Sequence, residues 1–150
     1  KAKFAWTMIA CNHLWVAIAI SMNDHWEMND MFFYLSGVIV AWTVGLWILY
    51  RLHLREGTYE LAQFQGHAYE HPDLAFVFLL ACLGLSGFPI TPTFVGEDLV
   101  FHHITADQVG LAVVVAVSYV FNGLAIMRIY ARIFLGNHVK THHEIAHRSS

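Results

Sequence analysis

"GLSGFPITPTFVGED", residues 84–98, decides the fold. Pro89 and Pro92 each lack an amide hydrogen and clash with the preceding turn, so no helix runs through both. Thr91–Pro92 reads as an N-cap followed by proline at the first helical position. One helix is therefore expected to end near Gly87 and a second to begin near Thr91. Apolar runs flank the break, Leu74 to Leu83 before it and Leu99 to Ile104 after it, the latter apolar until His102. The stretch reads as one greasy span broken in its middle, with Glu97 and Asp98 just past the break. Backbone groups freed there cannot face hydrocarbon and need protein neighbours or a wet cavity.

Composition places this span in a bilayer. The 150 residues are 57% hydrophobic and 13% charged, against about 45–50% apolar and about 25% charged in a soluble domain. Eleven Phe, five Trp and six Tyr add aromatic weight. A net charge of −3 gives no argument for nucleic acid or for any charged partner. Cys11 and Cys82 lie inside apolar runs, where they act as small hydrophobes; no disulfide framework is indicated. Lys1 and Lys3 precede an apolar run without a small-residue cleavage site, so no signal peptide is read. The chain opens on Lys, which fits a start further upstream.

Four segments are long enough to cross: Phe4 to Met22, Met31 to Leu52, the broken Leu74 to Ile104, and Val109 to Leu135. Each meets or approaches the ~20 residues that span the hydrocarbon core. The expected fold is an all-α membrane protein of about four spans. Residues 1–136 form the bundle and 137–150 a polar, His-rich cytoplasmic tail. With 74–104 as one span, Lys1, Lys3, Arg51, Arg55, Arg128, Arg132, Lys140 and Arg148 all fall on one side, the cytoplasmic one. The acidic 23–30 loop and the 102–108 link then fall outside. Arg128 and Arg132 are expected to snorkel to the interface. Gly37, Gly45 and Gly84 are expected at close helix contacts.

Ionisable and polar residues inside the spans are the candidate sites. A mid-membrane carboxylate costs about 2.5 kcal/mol or more, so Glu97 reads first as a protonatable group in an ion path. The alternative is an acidic pair near a helix N-terminus, favoured by the dipole and facing headgroups. Asp98 points about 100° away from Glu97 and sits four residues before His102, so those two could pair on one face. His13, beside Asn12 in the first span, could relay protons or be a buried structural histidine. Asn122 fits a helix–helix contact. "HEIAH", 143–147, matches a zinc-binding pattern. It lies in the final eight residues with no third ligand, and a solvated tail is the expected reading. No metal ligand or cofactor is assigned.

The residues also carry a family resemblance. "LSGFPITPTFVGEDLVF" (85–101) resembles the "LaGiPPtaGFiGK" stretch of the antiporter-like proton-translocating subunits found in respiratory complex I and in multisubunit cation/proton antiporters. Gly87, Pro89, Thr91, Phe94 and Gly96 match position by position. "NGLAIMRIYARIFLG" (122–136) is similar to the Arg–aromatic–Phe–Gly ending of a later helix in that family. The resemblance implies a proton or cation path built from central charged residues and broken helices, with Gly87, Pro89, Thr91 and Pro92 forming the break. Glu97 stands where many members carry lysine and some glutamate. Pro92 and Thr93 replace a small-residue–Gly pair, and the first two spans lack the family's lysine-bearing segment. Family subunits have many more spans, so the chain resembles the C-terminal portion of a larger subunit, or a split one.

The implied function is proton or cation translocation by a non-catalytic subunit of a larger complex, NADH:quinone oxidoreductase-like, in a bacterial inner membrane. The implied partners are other membrane subunits and the lipid bilayer. The 65–99 region also resembles members that work with a soluble zinc-containing subunit in inorganic-carbon uptake. Two readings stand beside translocation: a structural or assembly subunit without its own ion path, and proton-driven inorganic-carbon uptake. Whether Glu97 faces a polar interior or lipid separates the structural subunit from the ion path.

Overall fold

The computed structural model describes residues 1–22, 27–57 and 61–136. They form five helices: α1 (Ala2–Ser21), α2 (Met28–Glu56), α3 (Pro72–Leu85), α4 (Pro92–His102) and α5 (Val109–Phe134). No strand occurs among the described residues. The tail with HEIAH, Lys140 and Arg148 lies outside them, as do residues 23–26 of the 23–30 loop.

Local chemistry sets the ends. α2 carries Asp30 in its first turn and His53 and Arg55 in its last, each sign matched to the helix dipole. It stops at Gly57, whose φ of 73° lets its N–H return to the His53 carbonyl at 3.0 Å. α4 starts as its sequence requires: the Thr91 hydroxyl accepts from the Phe94 N–H at 3.3 Å, and Pro92 takes the first helical position. α3 ends at Leu85, two residues before Gly87, because the turn already closes with the Ser86 N–H on the Cys82 carbonyl at 2.9 Å.

α2 is the ruler of the bundle. Its 29 residues make a rod of about 43 Å. α4 and α3 lie along it in antiparallel order. Asp30 meets His103, Gly37 meets Thr93, Ala41 meets Gly84, and Glu56 meets His71. Residues 72–102 are therefore one span in two pieces, as the prolines imply. α1 returns along α2 with Trp6 Nε1 donating to the Trp42 carbonyl at 3.0 Å and Trp6 packed on Gly45. α5 runs antiparallel to α1, pairing Asn12 with Ser118 at 2.6 Å. Trp6, Phe78 and Phe134 form an aromatic core between the helices. Outward, Phe4, Trp15, Phe32, Val40, Val114, Val120, Phe121 and Met127 are exposed, an apolar coat suited to lipid or partner helices.

The chain order puts Lys1, Lys3, Arg51, Arg55 and Arg132 at one end of the bundle. There residues 65–68 cap α5. The N–H groups of Gln65, Gly66, His67 and Ala68 donate to the carbonyls of Arg132, Leu135, Ile133 and Phe134 at 3.0–3.2 Å. These are the carbonyls a helix end leaves without intrahelical partners. Arg132 is held by the connection at this end. Its Nη1 donates to the Ala62 carbonyl at 3.1 Å and its guanidinium lies 4.4 Å over the Phe64 ring. Arg128 stays exposed.

Candidate functional site

The break between α3 and α4 seats Glu97. Residues 86–91 satisfy part of their own backbone: Phe88 N–H donates to the Leu83 carbonyl at 3.0 Å, and both the Thr91 N–H and hydroxyl donate to the Phe88 carbonyl, at 3.0 and 2.7 Å. The turn needs Gly87 at φ 67° and holds Ile90 at φ 97°. Ile90 is β-branched, so that backbone stores strain of about 1–3 kcal/mol. The Glu97 carboxylate lies directly over Gly87. A Cβ on Gly87 would sit 2.7 Å from Glu97 Cδ and 2.9 Å from its Oε1. Gly96 does the same service against α2, where an added Cβ would come within 2.7 Å of the Tyr34 Cα. Two glycines thus draw α4 close to both the break and Tyr34.

Around that seat, polar groups from three other helices converge. His13 of α1 is 1% exposed, and its Nδ1 is 2.8 Å from the Tyr34 hydroxyl of α2. Tyr34 is 3.1 Å from the Tyr119 hydroxyl of α5, and the Asn122 amide is 3.4 Å from His13 Nε2. The Leu85 carbonyl at the end of α3 also reaches the His13 ring. Half-buried Glu97 lies within electrostatic reach of both phenols. Imidazole, phenols, amide and carboxylate therefore form one cluster at the level of the break. The Asn122 amide nitrogen donates to His13 Nε2, so the neutral ring carries its proton on Nδ1, towards the Tyr34 hydroxyl. A groove of about 500 Å³ leads from Asn12 and Asn122 towards Arg128.

The four expected ionisable residues divide. Glu97 and His13 are brought together through Tyr34 and Tyr119. Asp98 and His102 are exposed, and among the described residues no hydrogen bond or ion pair joins them. Their neighbour His103 is the paired one: its Nε2 is 3.7 Å from Asp30 and its Nδ1 2.7 Å from the Leu99 carbonyl. Tyr34 and Tyr119 escaped the sequence reading because a tyrosine in an apolar run is indistinguishable from an interface aromatic. The signal that points to Tyr34 is the glycine opposite, Gly96, which matters only once α4 is laid on α2.

A family model described as "NADH:quinone oxidoreductase/Mrp antiporter, TM" matches residues 8–122. The chain belongs to this family. The match takes in His13, Tyr34, the break, Glu97, Tyr119 and Asn122. Among its relatives are NADH-quinone oxidoreductase subunit M of Rickettsia conorii, 33% identical over 84% of this chain and 22% of that protein. Subunit M of Rickettsia prowazekii is 32% identical over 98% of the chain and 29% of its own length. NADH-quinone oxidoreductase subunit N of Saccharopolyspora erythraea is 30% identical over 92% of the chain and 26% of its length. The chain thus spans under a third of the length of these relatives. No solved structure matches it. An all-helical, multi-pass membrane subunit of the antiporter-like family is what fold and relatives jointly establish.

Proposed function

We propose that the chain is part of a proton-translocating subunit of an NADH:quinone oxidoreductase-like complex, with Glu97 as its proton-carrying group and His13, through Tyr34 and Tyr119, as the next station. The observation that carries this reading is the seat of Glu97. The carboxylate lies on Gly87 at the helix break, within electrostatic reach of the phenols of the buried cluster, while Asp98 beside it is exposed. A chain that served only as an anchor would have no use for a carboxylate in that position, where it costs about 2.5–3.5 kcal/mol. The groove past Asn12 and Asn122 gives the cluster a route to the cation-bearing end, which we assign to the cytoplasmic side of a bacterial inner membrane. Other membrane subunits complete the path. A soluble zinc-containing partner and inorganic-carbon uptake rest on the sequence resemblance alone.

The test is Glu97→Gln in the assembled complex, which keeps shape and removes the proton site. Proton-coupled activity should be lost while the subunit still co-purifies with its partners. Normal transport by an assembled Glu97→Gln complex would sink the proposal.

A further inference from the structure

Away from the helix break, three metal-ligating side chains meet at the cation-rich end of the bundle. Glu56 is the last residue of α2, and His67 and Glu70 come from the connection to α3. Their donor atoms all lie within 4.8 Å of one another. His67 is 7% exposed, so this is no loose gathering of surface carboxylates. Its backbone is pinned as well, by the N–H bond to the Ile133 carbonyl at 3.2 Å.

The neighbours orient two of these groups as a metal site requires. The Gln65 carbonyl Oε1 lies 2.8 Å from His67 Nε2. A carbonyl only accepts, so Nε2 carries the hydrogen and Nδ1 presents its lone pair. His71 performs the matching task for Glu56. Arg55 Nη1 donates to His71 Nδ1 at 3.3 Å, so His71 Nε2 carries the hydrogen and donates to Glu56 Oε1 at 2.8 Å. One carboxylate oxygen is held and the other is left for a ligand. An outer hydrogen bond that fixes the ring nitrogen and the carboxylate is the usual support of a bound metal ion.

We propose that Glu56, His67 and Glu70 bind a divalent transition-metal ion of the zinc class, which clamps the 61–71 connection to the end of α2. One imidazole and two carboxylates match that class. Calcium takes six to eight oxygens and magnesium keeps most of its waters, whereas imidazole selects zinc and its neighbours. Two carboxylates balance the charge of a divalent ion, and Arg55 is turned away onto His71. Zinc–donor bonds of about 2.0–2.2 Å bring ligands closer together than 4.8 Å. Glu70, the exposed member of the three, is the side chain that would supply that movement. The fourth position is open to water. Because the same connection caps α5, the clamp would tie three spans at one end. Sequence spacing hides the site, since Glu56 and His67 are eleven positions apart and belong to different segments.

The experiment uses the assembled complex with His138, His142, His143 and His147 changed to glutamine, which removes the tail histidines as competing ligands. Zinc is titrated against a competing chelator and counted per chain by mass spectrometry. About one zinc per chain is expected. Glu70→Gln changes an exposed side chain and should leave assembly intact while weakening zinc at least about tenfold. His67→Gln should abolish binding. Zinc should also slow proteolysis at Gln63 in the parent and not in Glu70→Gln. The proposal is overturned if the parent binds no zinc, if Glu70→Gln binds it equally well, or if equimolar calcium or magnesium displaces it.

Discussion

Glu97 is held by shape more than by bonds. No hydrogen bond or ion pair to its carboxylate occurs among the described residues; Gly87 leaves the room it occupies, and two phenols lie within electrostatic reach. On the proposed reading its titratable oxygen is the feature that matters. Glu97→Asp withdraws the carboxylate by one methylene and should retain part of the proton-coupled activity with an altered pH dependence. Asp98→Asn should leave activity close to wild type, since that side chain faces out. Proton uptake by vesicles containing each variant complex checks the order: wild type and Asp98→Asn, then Glu97→Asp, then Glu97→Gln. Gly87→Ala should cost about 1–2 kcal/mol through its left-handed backbone alone, and its methyl would push the carboxylate from its seat. The expected result is an assembled complex with lower transport and a lower unfolding temperature. Full transport with unchanged stability would show that Glu97 does not need this seat. Glu97 was legible in the sequence because a carboxylate stands out among apolar residues. Tyr34 and Tyr119 were not, because their polarity shows only where their hydroxyls meet.

At the level of elements, the broken span was readable because its signals are local. Two prolines forbid one continuous helix, and Thr91–Pro92 starts the next. The exact end of α3 was not readable, since Leu85 or Gly87 depends on which carbonyl the Ser86 and Phe88 amides find. Thr91 has two tasks: its oxygen accepts from Phe94 N–H and its hydroxyl donates to the Phe88 carbonyl. Thr91→Ala should therefore cost about 1 kcal/mol or more. Thr91→Ser keeps both bonds and should restore most of it. Thermal unfolding in detergent, read by helical circular dichroism, distinguishes the pair; equal losses would mean that the methyl group, and not the hydroxyl, holds the break. The cap on α5 was invisible beforehand for the opposite reason. Residues 65–68 donate to carbonyls about 67 positions later, and no pattern within the loop announces so distant a partner. The same connection supplies the Phe64 ring under Arg132.

The whole molecule combines one-sided charge with an incomplete polar interior. Antiparallel order places the described Lys and Arg residues towards one end and the Asp30–His103 pair at the other. Charge counting leads to the same one-sided placement of the cations, whereas the Asp30–His103 pair was not read from the sequence. With Cys11 and Cys82 replaced by serine, cysteines introduced at exposed Asn29 and Gln63 should label from opposite faces of intact cells, Gln63 only after the cytoplasm is made accessible; same-side labelling would overturn the topology. A further expectation concerns conduction. His13, Tyr34, Tyr119 and Glu97 cluster at a single depth, and a groove continues from them towards Arg128. On the other side of Glu97, Asp98 and His102 lie on an exposed face of α4, with no described helix to shield them from hydrocarbon. A proton needs polar groups across ~30 Å of core, so this half of the route must be completed by further helices that cover that face. The 150-residue segment reconstituted alone should therefore show no proton flux that depends on Glu97, measured with a pH-sensitive dye under an imposed potential. Flux abolished by Glu97→Gln in such vesicles would mean that these five helices already hold a complete path.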